Sequence, residues 1–289
     1  MPAVLCLIAD PAVQLDSGLI EVLTRVTGGE LRWLEPGTAA EIAAEHIAPA
    51  FVADVIGSSR IDWAVLPLAN RRKRLLVSDM DSTIITIECI DELADFAGIK
   101  AEVAEVTRRA MNGELDFIAA LEARVKLLDG LPEQAITEVI RERLHLMPGA
   151  VTLVRTMRAH GALACLVSGG FTVFTRHVSE ACGFDLDEAN GLEIRDGRLT
   201  GRLVPPIRDA AAKLATLERL RVQYGLEPEQ TLAVGDGAND LPMLKAAGLG
   251  VAFRAHPRVQ AEAPVRIEHG DLTALLYLQG YGREEITPG

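Results

Sequence analysis

Leu75-Leu76-Val77-Ser78-Asp79-Met80-Asp81-Ser82-Thr83 is a short apolar run that stops at two carboxylates, Asp79 and Asp81. Such a run, closed at once by polar residues, reads as a buried strand whose last side chains emerge at a sheet edge. Working outward, Leu163–Val167 is a second strand, and Ser168-Gly169-Gly170 after it reads as a turn. Thr231–Val234 is a third, followed directly by Gly235-Asp236-Gly237-Ala238-Asn239-Asp240. Helical periodicity fills Ile90–Leu144, and Asn112-Gly113 and Asp129-Gly130-Leu131-Pro132 break it into at least three helices. Further helices read at Val151–Ala159, Ala210–Tyr224 and Leu241–Ala247, a hairpin at Asp196-Gly197, and a last short strand at Gly250–Phe253. This alternation predicts an α/β fold with a doubly wound parallel sheet, and a helical cap at about 90–145 inserted after the first core strand. In such sheets ligands sit outside the carboxyl ends of the strands, so the three polar clusters should meet along one edge.

Residues 1–70 read as a small separate α/β module, and 71–289 as the main unit. The module carries nine acidic and three basic side chains. Its strands are expected at Val4–Ala9, Glu30–Leu34 and Asp62–Leu66, and its helices at Leu15–Val26 and through Ala39–Val55. Arg71-Arg72-Lys73-Arg74 then reads as a solvated junction, since four charges make a short block.

The 289 residues are 49% hydrophobic and 24% charged, the balance of a globular protein. A net charge of −12 argues against broad binding to nucleic acid or anionic membranes, and 4% aromatics against a single-strand stacking surface. Val4–Ala9 is too short and lacks the basic lead-in for a signal peptide, and no apolar stretch reaches membrane-spanning length. Cys6, Cys89, Cys165 and Cys182 form no C-x-x-C pair, which fits buried thiols in a reducing compartment, the cytoplasm.

Two carboxylates as close as Asp79 and Asp81 need a cation or a proton between them. Mg²⁺ suits them, because it takes oxygen ligands from one or two carboxylates plus substrate phosphate. Asp236 and Asp240 could add carboxylates from another strand end, and the absence of His or Cys from these clusters argues against zinc. Ser168 and the Gly169 backbone offer donors to phosphate oxygens, and Lys213 a fixed positive charge. Together they suit phosphoryl transfer through an aspartyl-phosphate.

In this order along the chain, Asp79–Thr83, Ser168–Phe171, Lys213 and Gly235–Asp240 resemble the four motifs of the haloacid-dehalogenase-like hydrolase superfamily. Asp79–Leu93 (DMDSTIITIECIDEL), Arg109–Phe117 (RAMNGELDF) and Val234–Leu249 (VGDGANDLPMLKAAGL) are similar to its phosphoserine phosphatases in particular. The resemblance covers about residues 75–275 and implies a Mg²⁺-dependent phosphatase for a small molecule, phosphoserine, in the last step of serine biosynthesis. It implies Asp79 as nucleophile and Asp81 as acid and base. Asp79, the Asp81 carbonyl and Asp236 would hold the metal, with Asn239 and Asp240 orienting that shell. Ser168, Gly169 and Lys213 would hold the phosphoryl group. Glu88 would meet the substrate ammonium and Arg124 its carboxylate, under an apolar wall of Met111 and Phe117. Another small phosphorylated metabolite is the alternative substrate, and a monomer or homodimer is expected. Residues 1–70 lie outside the match. Some of these enzymes carry an amino-acid-binding ACT module there, of order βαββαβ, whereas the pattern here reads as βαβαβ.

Overall fold

The computed structural model describes residues 2–111 and 114–289, Ala110 and Met111 by their backbone alone. The chain opens with β1 (Ala3–Ala9), α1 (Ser17–Thr27), β2 (Glu30–Glu35), β3 (Ala39–Ala44), α2 (Pro49–Ile56) and β4 (Ile61–Pro67). These strands form an antiparallel sheet in the order β2-β3-β1-β4. The element order is therefore βαββαβ, a split βαβ arrangement, and the expected five-element reading is corrected. The error lay in residues 39–55, expected as one helix. Ala-Ala-Glu-Ile-Ala-Ala has good helix propensity, but β3 is hydrogen-bonded on both sides, to β1 and β2. Ala39, Ala40 and Ile42 are fully buried there, so tertiary pairing overrides a weak local preference.

The second sheet begins with β5 (Leu75–Ser78). The helices α3 (Cys89–Phe96), α4 (Lys100–Met111), α5 (Phe117–Lys126) and α6 (Gln134–Glu142) follow as the expected insertion. The chain then runs through α7 (Ala150–Ala159), β6 (Leu163–Phe171), α8 (Thr172–Cys182), β7 (Leu186–Arg195), β8 (Arg198–Val204) and α9 (Ala210–Gln223). It ends with β9 (Thr231–Gly235), α10 (Leu241–Ala246), β10 (Leu249–Phe253), α11 (Pro257–Glu262), β11 (Val265–Ile267) and α12 (Ala274–Leu278). The strand order is β11-β10-β9-β5-β6-β7-β8, parallel throughout except for the antiparallel edge strand β8. The three-residue β11 follows β10, which was expected to be the last strand.

Alternation along β5 shows why helices cover both faces. Leu75 and Val77 pack with Leu217 and Leu220 of α9 and Met243 of α10, whereas Leu76 packs with Leu153 of α7, Phe174 of α8 and Leu276 of α12. The same large core takes Cys6, Ile8, Leu34, Ala39 and Ala64 from one face of the N-terminal sheet. The other face packs on α1 and α2 through Leu5, Leu7, Ile20, Leu23 and Val52.

The insertion leaves and re-enters the core side by side. Ile85 bridges Leu146, Thr86 N–H donates to His145 O at 3.0 Å, and Met147 N–H donates to Ile84 O at 2.8 Å. Its far end rests on the β7–β8 hairpin, where Gly130 N–H donates to Leu199 O and Leu199 N–H to Leu131 O. The turn of that hairpin has Asp196 and Gly197 both at positive φ, 52° and 72°, as a type I′ turn requires.

Arg74 is exposed as expected, but Arg71–Lys73 is not solvated, which corrects the expectation for those three residues. Arg71 pairs with Glu41 of β3 and donates to the carbonyls of Tyr277 and Leu278. Arg72 stacks on Tyr281 and pairs with Glu285. Lys73 is buried, its ammonium donating to Asn70 O and Glu229 O at 2.7 Å each. The run is a clasp because its guanidiniums are spaced to reach three separate segments and bury their stems in doing so. No helix among the described residues is long and apolar enough to cross a membrane.

Candidate active site

The strands β9, β5 and β6 are neighbours, so their carboxyl ends place Asp236, Asp79 and Ser168 along one edge. Asp79 follows β5 directly and its N–H continues the ladder to Val234 O at 3.0 Å, which fixes the start of its side chain. Lys213, one turn into α9, is 1% exposed. Its ammonium lies 2.6 Å from Asp79 Oδ1 and 2.6 Å from Asp240 Oδ1. Burial would drive this ammonium neutral, but the two carboxylates together outweigh it and hold its pKa above the usual range. Asp240, fully buried, also accepts from Gly237 N–H at 3.0 Å through Oδ2, so both its oxygens are engaged.

Carboxylate oxygens of Asp79, Asp236 and Asp240 lie within 4.8 Å of one another. Burial and the neighbouring Asp240 push Asp79 well above the ordinary carboxylate range and Asp236 up to about 6. Three carboxylates facing one ammonium leave uncompensated negative charge. An all-oxygen donor set of this kind fits a hard divalent cation. Thr83, also buried, donates its hydroxyl to Asp236 Oδ1 at 3.3 Å.

The Asp81 carboxylate points elsewhere. Its Oδ1 accepts from Cys89 N–H at 2.9 Å and its Oδ2 from the Ser168 hydroxyl at 3.2 Å. Burial raises its pKa even though both donors favour the ionised form. A raised pKa and no ion pair with Lys213 leave this carboxyl able to take up and release a proton.

Ser168-Gly169-Gly170 does not form the expected turn: it continues β6 through an irregular register. A bulge here re-aims the Ser168 side chain while the strand goes on. Gly170 N–H donates to Ser168 Oγ at 2.8 Å. A Cβ on Gly170 would lie 2.8 Å from Asp81 Oδ2, and one on Gly169 3.1 Å from Cζ of Phe117. The glycines therefore allow the close approach of acid and cap.

From the insertion, half-buried Phe117 thus reaches the Ser168–Gly170 segment. Arg124 of α5 is half-buried and donates from Nε to Ala120 O at 3.3 Å. Burial lowers its pKa, while Asp91, Glu88 and Asp81 act against that. Glu88 precedes α3 without capping it and accepts from Ser82 Oγ at 2.7 Å. Glu88 is exposed at the edge of the site, and partial desolvation together with the Asp81 charge pushes its carboxyl up to about 7. Asn239 is half-buried with its amide oxygen against Gly237. Met111 ends α4, and its side chain lies outside the described residues.

Sequence reasoning gave Thr83 no role of its own within the Asp79–Thr83 run and did not mark Asn190. Asn190, fully buried on β7, donates to Gly169 O at 2.8 Å. Thr83 had a signal in its place two residues after Asp81, whereas nothing local marks Asn190.

The haloacid dehalogenase-like hydrolase family pattern matches residues 76–245. The chain is 48% identical over 228 residues to a phosphoserine phosphatase of Streptomyces coelicolor, covering 78% of this chain but 55% of that one. It is also 48% identical to a phosphoserine phosphatase of a Polaromonas species, covering 71% of this chain and 89% of the relative. A solved structure of a probable phosphoserine phosphatase from Vibrio cholerae superimposes with TM-score 0.81 at 36% identity, covering 98% of this chain and 88% of that one.

Proposed function

The chain belongs to the haloacid dehalogenase-like hydrolases, and from that premise we propose that it hydrolyses O-phosphoserine to serine and phosphate. The observation that carries the reading is Asp79, one oxygen held by buried Lys213, beside an Asp81 held separately by the Cys89 N–H and the Ser168 hydroxyl.

The Asp79 oxygen not held by Lys213 attacks phosphorus and forms an aspartyl-phosphate. The bond from phosphorus to the serine oxygen breaks, and Asp81 gives its proton to that oxygen. Asp81, now ionised, takes a proton from water as the water oxygen attacks phosphorus. The bond to Asp79 breaks, and phosphate leaves. Ser168, Gly169 and Lys213 orient the phosphoryl oxygens throughout, which is the positioning and charge stabilisation that phosphoryl transfer needs. Asp79, the Asp81 carbonyl and Asp236 would hold Mg²⁺, which when bound neutralises charge on the transferring group. Asp240, with both oxygens engaged, anchors Lys213 and the Gly237 loop, and Asn239 supports that loop.

The insertion serves as the cap. Glu88 takes the substrate ammonium and Arg124 its carboxylate, and neither has an ion-pair partner among the described residues. Phe117 excludes water, and Met111 is assigned to the same wall. Residues 1–70 are read as an ACT-like module on the strength of their βαββαβ order.

Acid quenching with labelled phosphoserine should trap the phosphoryl group on Asp79, and Asp79→Asn should lose at least ~10³-fold in turnover while remaining folded. Label on another residue, or substantial activity in the variant, overturns the assignment.

A further inference from the structure

β6 and β7 keep register from Cys165↔Leu186 to Val167↔Glu188 and meet again at Phe171↔Asn190. Ser168, Gly169 and Gly170 thus stand opposite the single residue Ala189. A bulge disrupts the ladder, and buried carbonyls require a donor from somewhere. Asn190 Nδ2 supplies one to Gly169 O at 2.8 Å. The same amide reaches the segment that leads into α9: Nδ2 donates to Arg208 O at 3.3 Å, and Oδ1 accepts from Arg208 N–H at 2.6 Å. The next residue, Asp209, caps α9 by accepting from Ala212 N–H at 3.0 Å, and Lys213 follows one turn on. Glu188, on the same face of β7, holds the Arg208 guanidinium at 2.7 Å and the Thr216 hydroxyl at 2.8 Å, and also pairs with Arg219.

We propose that Asn190 is a positioning residue for phosphoryl transfer, setting the separation between the Ser168–Gly169 arm and the Lys213 arm of the phosphoryl site. This rests on the reading of those two arms as the phosphoryl holders. Asn190 sits behind the reacting groups and acts through both arms. Its planar amide joins donor and acceptor at a fixed spacing, and a misplacement of ~1 Å at such a site can cost ~10²-fold.

The test uses full-length protein with Asn190→Ser and Glu188→Gln. It measures the inhibition constant of orthovanadate, kcat/KM for phosphoserine and phosphoethanolamine, and the Mg²⁺ activation midpoint. Asn190→Ser should weaken vanadate inhibition and lower kcat/KM for both esters by a common factor of about 10 to 100. The ratio between the esters and the Mg²⁺ midpoint should hold, and Glu188→Gln should shift vanadate inhibition in the same direction by less. Destabilisation alone lowers the active fraction, and so apparent kcat, without moving an inhibition constant. An unchanged vanadate constant in Asn190→Ser therefore overturns the inference. If that variant does not fold, an unchanged constant in Glu188→Gln does so. Wild-type protein that neither binds vanadate nor hydrolyses either ester overturns the phosphatase reading itself, a result distinct from equal vanadate binding by wild type and variants.

Discussion

Arg124 has no carboxylate within ion-pair range among the described residues, and Asp91, Glu88 and Asp81 act on it only through space. A half-buried guanidinium in that position is suited to an incoming carboxylate, which it can meet bidentately. Losing one partner of a desolvated charge pair costs ~2–5 kcal/mol, about 30- to several-thousand-fold. Arg124→Ala should accordingly cut kcat/KM for phosphoserine by at least ~30-fold and barely affect phosphoethanolamine, which lacks the carboxylate. Equal losses for the two esters would remove Arg124 from the substrate site. The Asp79, Asp236 and Asp240 cluster makes its own prediction: chelation should abolish turnover, Mg²⁺ should restore it, and Ca²⁺, with its larger and looser shell, should inhibit. Full activity in EDTA would refute the metal role. Asp79, Asp81, Ser168, Lys213 and Asp236 were legible in the sequence because each stands in or just after a run that announces a strand end or a helix. Asn190 was not, since its importance arises only where two strands lose register, and a single sequence carries no trace of that.

Among the elements, β3 and the Ser168–Gly170 bulge escaped sequence reading for related reasons. Alanines and glycines carry little pattern of their own, so their conformation is decided by what lies across from them. The basic clasp was misread because charge runs are usually solvated, and only the folded chain brings Glu41, Tyr281 and Glu285 into reach. Within it, burial, aided by the charge on Arg71, brings Lys73 down to about 8 from 10.5. The sign follows from linkage. Between pH 8 and 10.5 the unfolded chain holds a proton that the folded one has released, so this residue makes stability rise with pH. Below about 8 both states are charged and the cost of burying the charge, up to ~3 kcal/mol, is fully present. Wild type should gain Tm over pH 8 to 10 relative to Lys73→Met, whose curve should lack that contribution. Parallel curves for the two proteins would show that Lys73 does not titrate as described.

For the molecule as a whole, the N-terminal sheet supplies no residue to the candidate site, yet it completes the main core through Cys6, Ile8, Leu34, Ala39 and Ala64. Asp62 of β4 also accepts the N–H groups of Glu268, His269 and Gly270 beyond β11. A chain starting at residue 71 should keep phosphate release in its folded fraction but lose stability on the order of 5 kcal/mol, from uncovered apolar surface. Calorimetry against the full chain checks the loss, and a folded truncated protein with no activity at saturating substrate would overturn the separation. The insertion is attached differently. Its two ends are fastened to each other by the Ile85–Leu146 bridge, and its far end to the β7–β8 hairpin, so it is a loop closed between fixed anchors. Doubling the length of such a loop adds only ~0.6 kcal/mol of closure entropy. Extra residues between those anchors would therefore cost the fold little, whereas Cys89, whose N–H holds Asp81, has to stay. Length is thus the freedom the insertion has, and its first helix, which holds Asp81, is where that freedom stops.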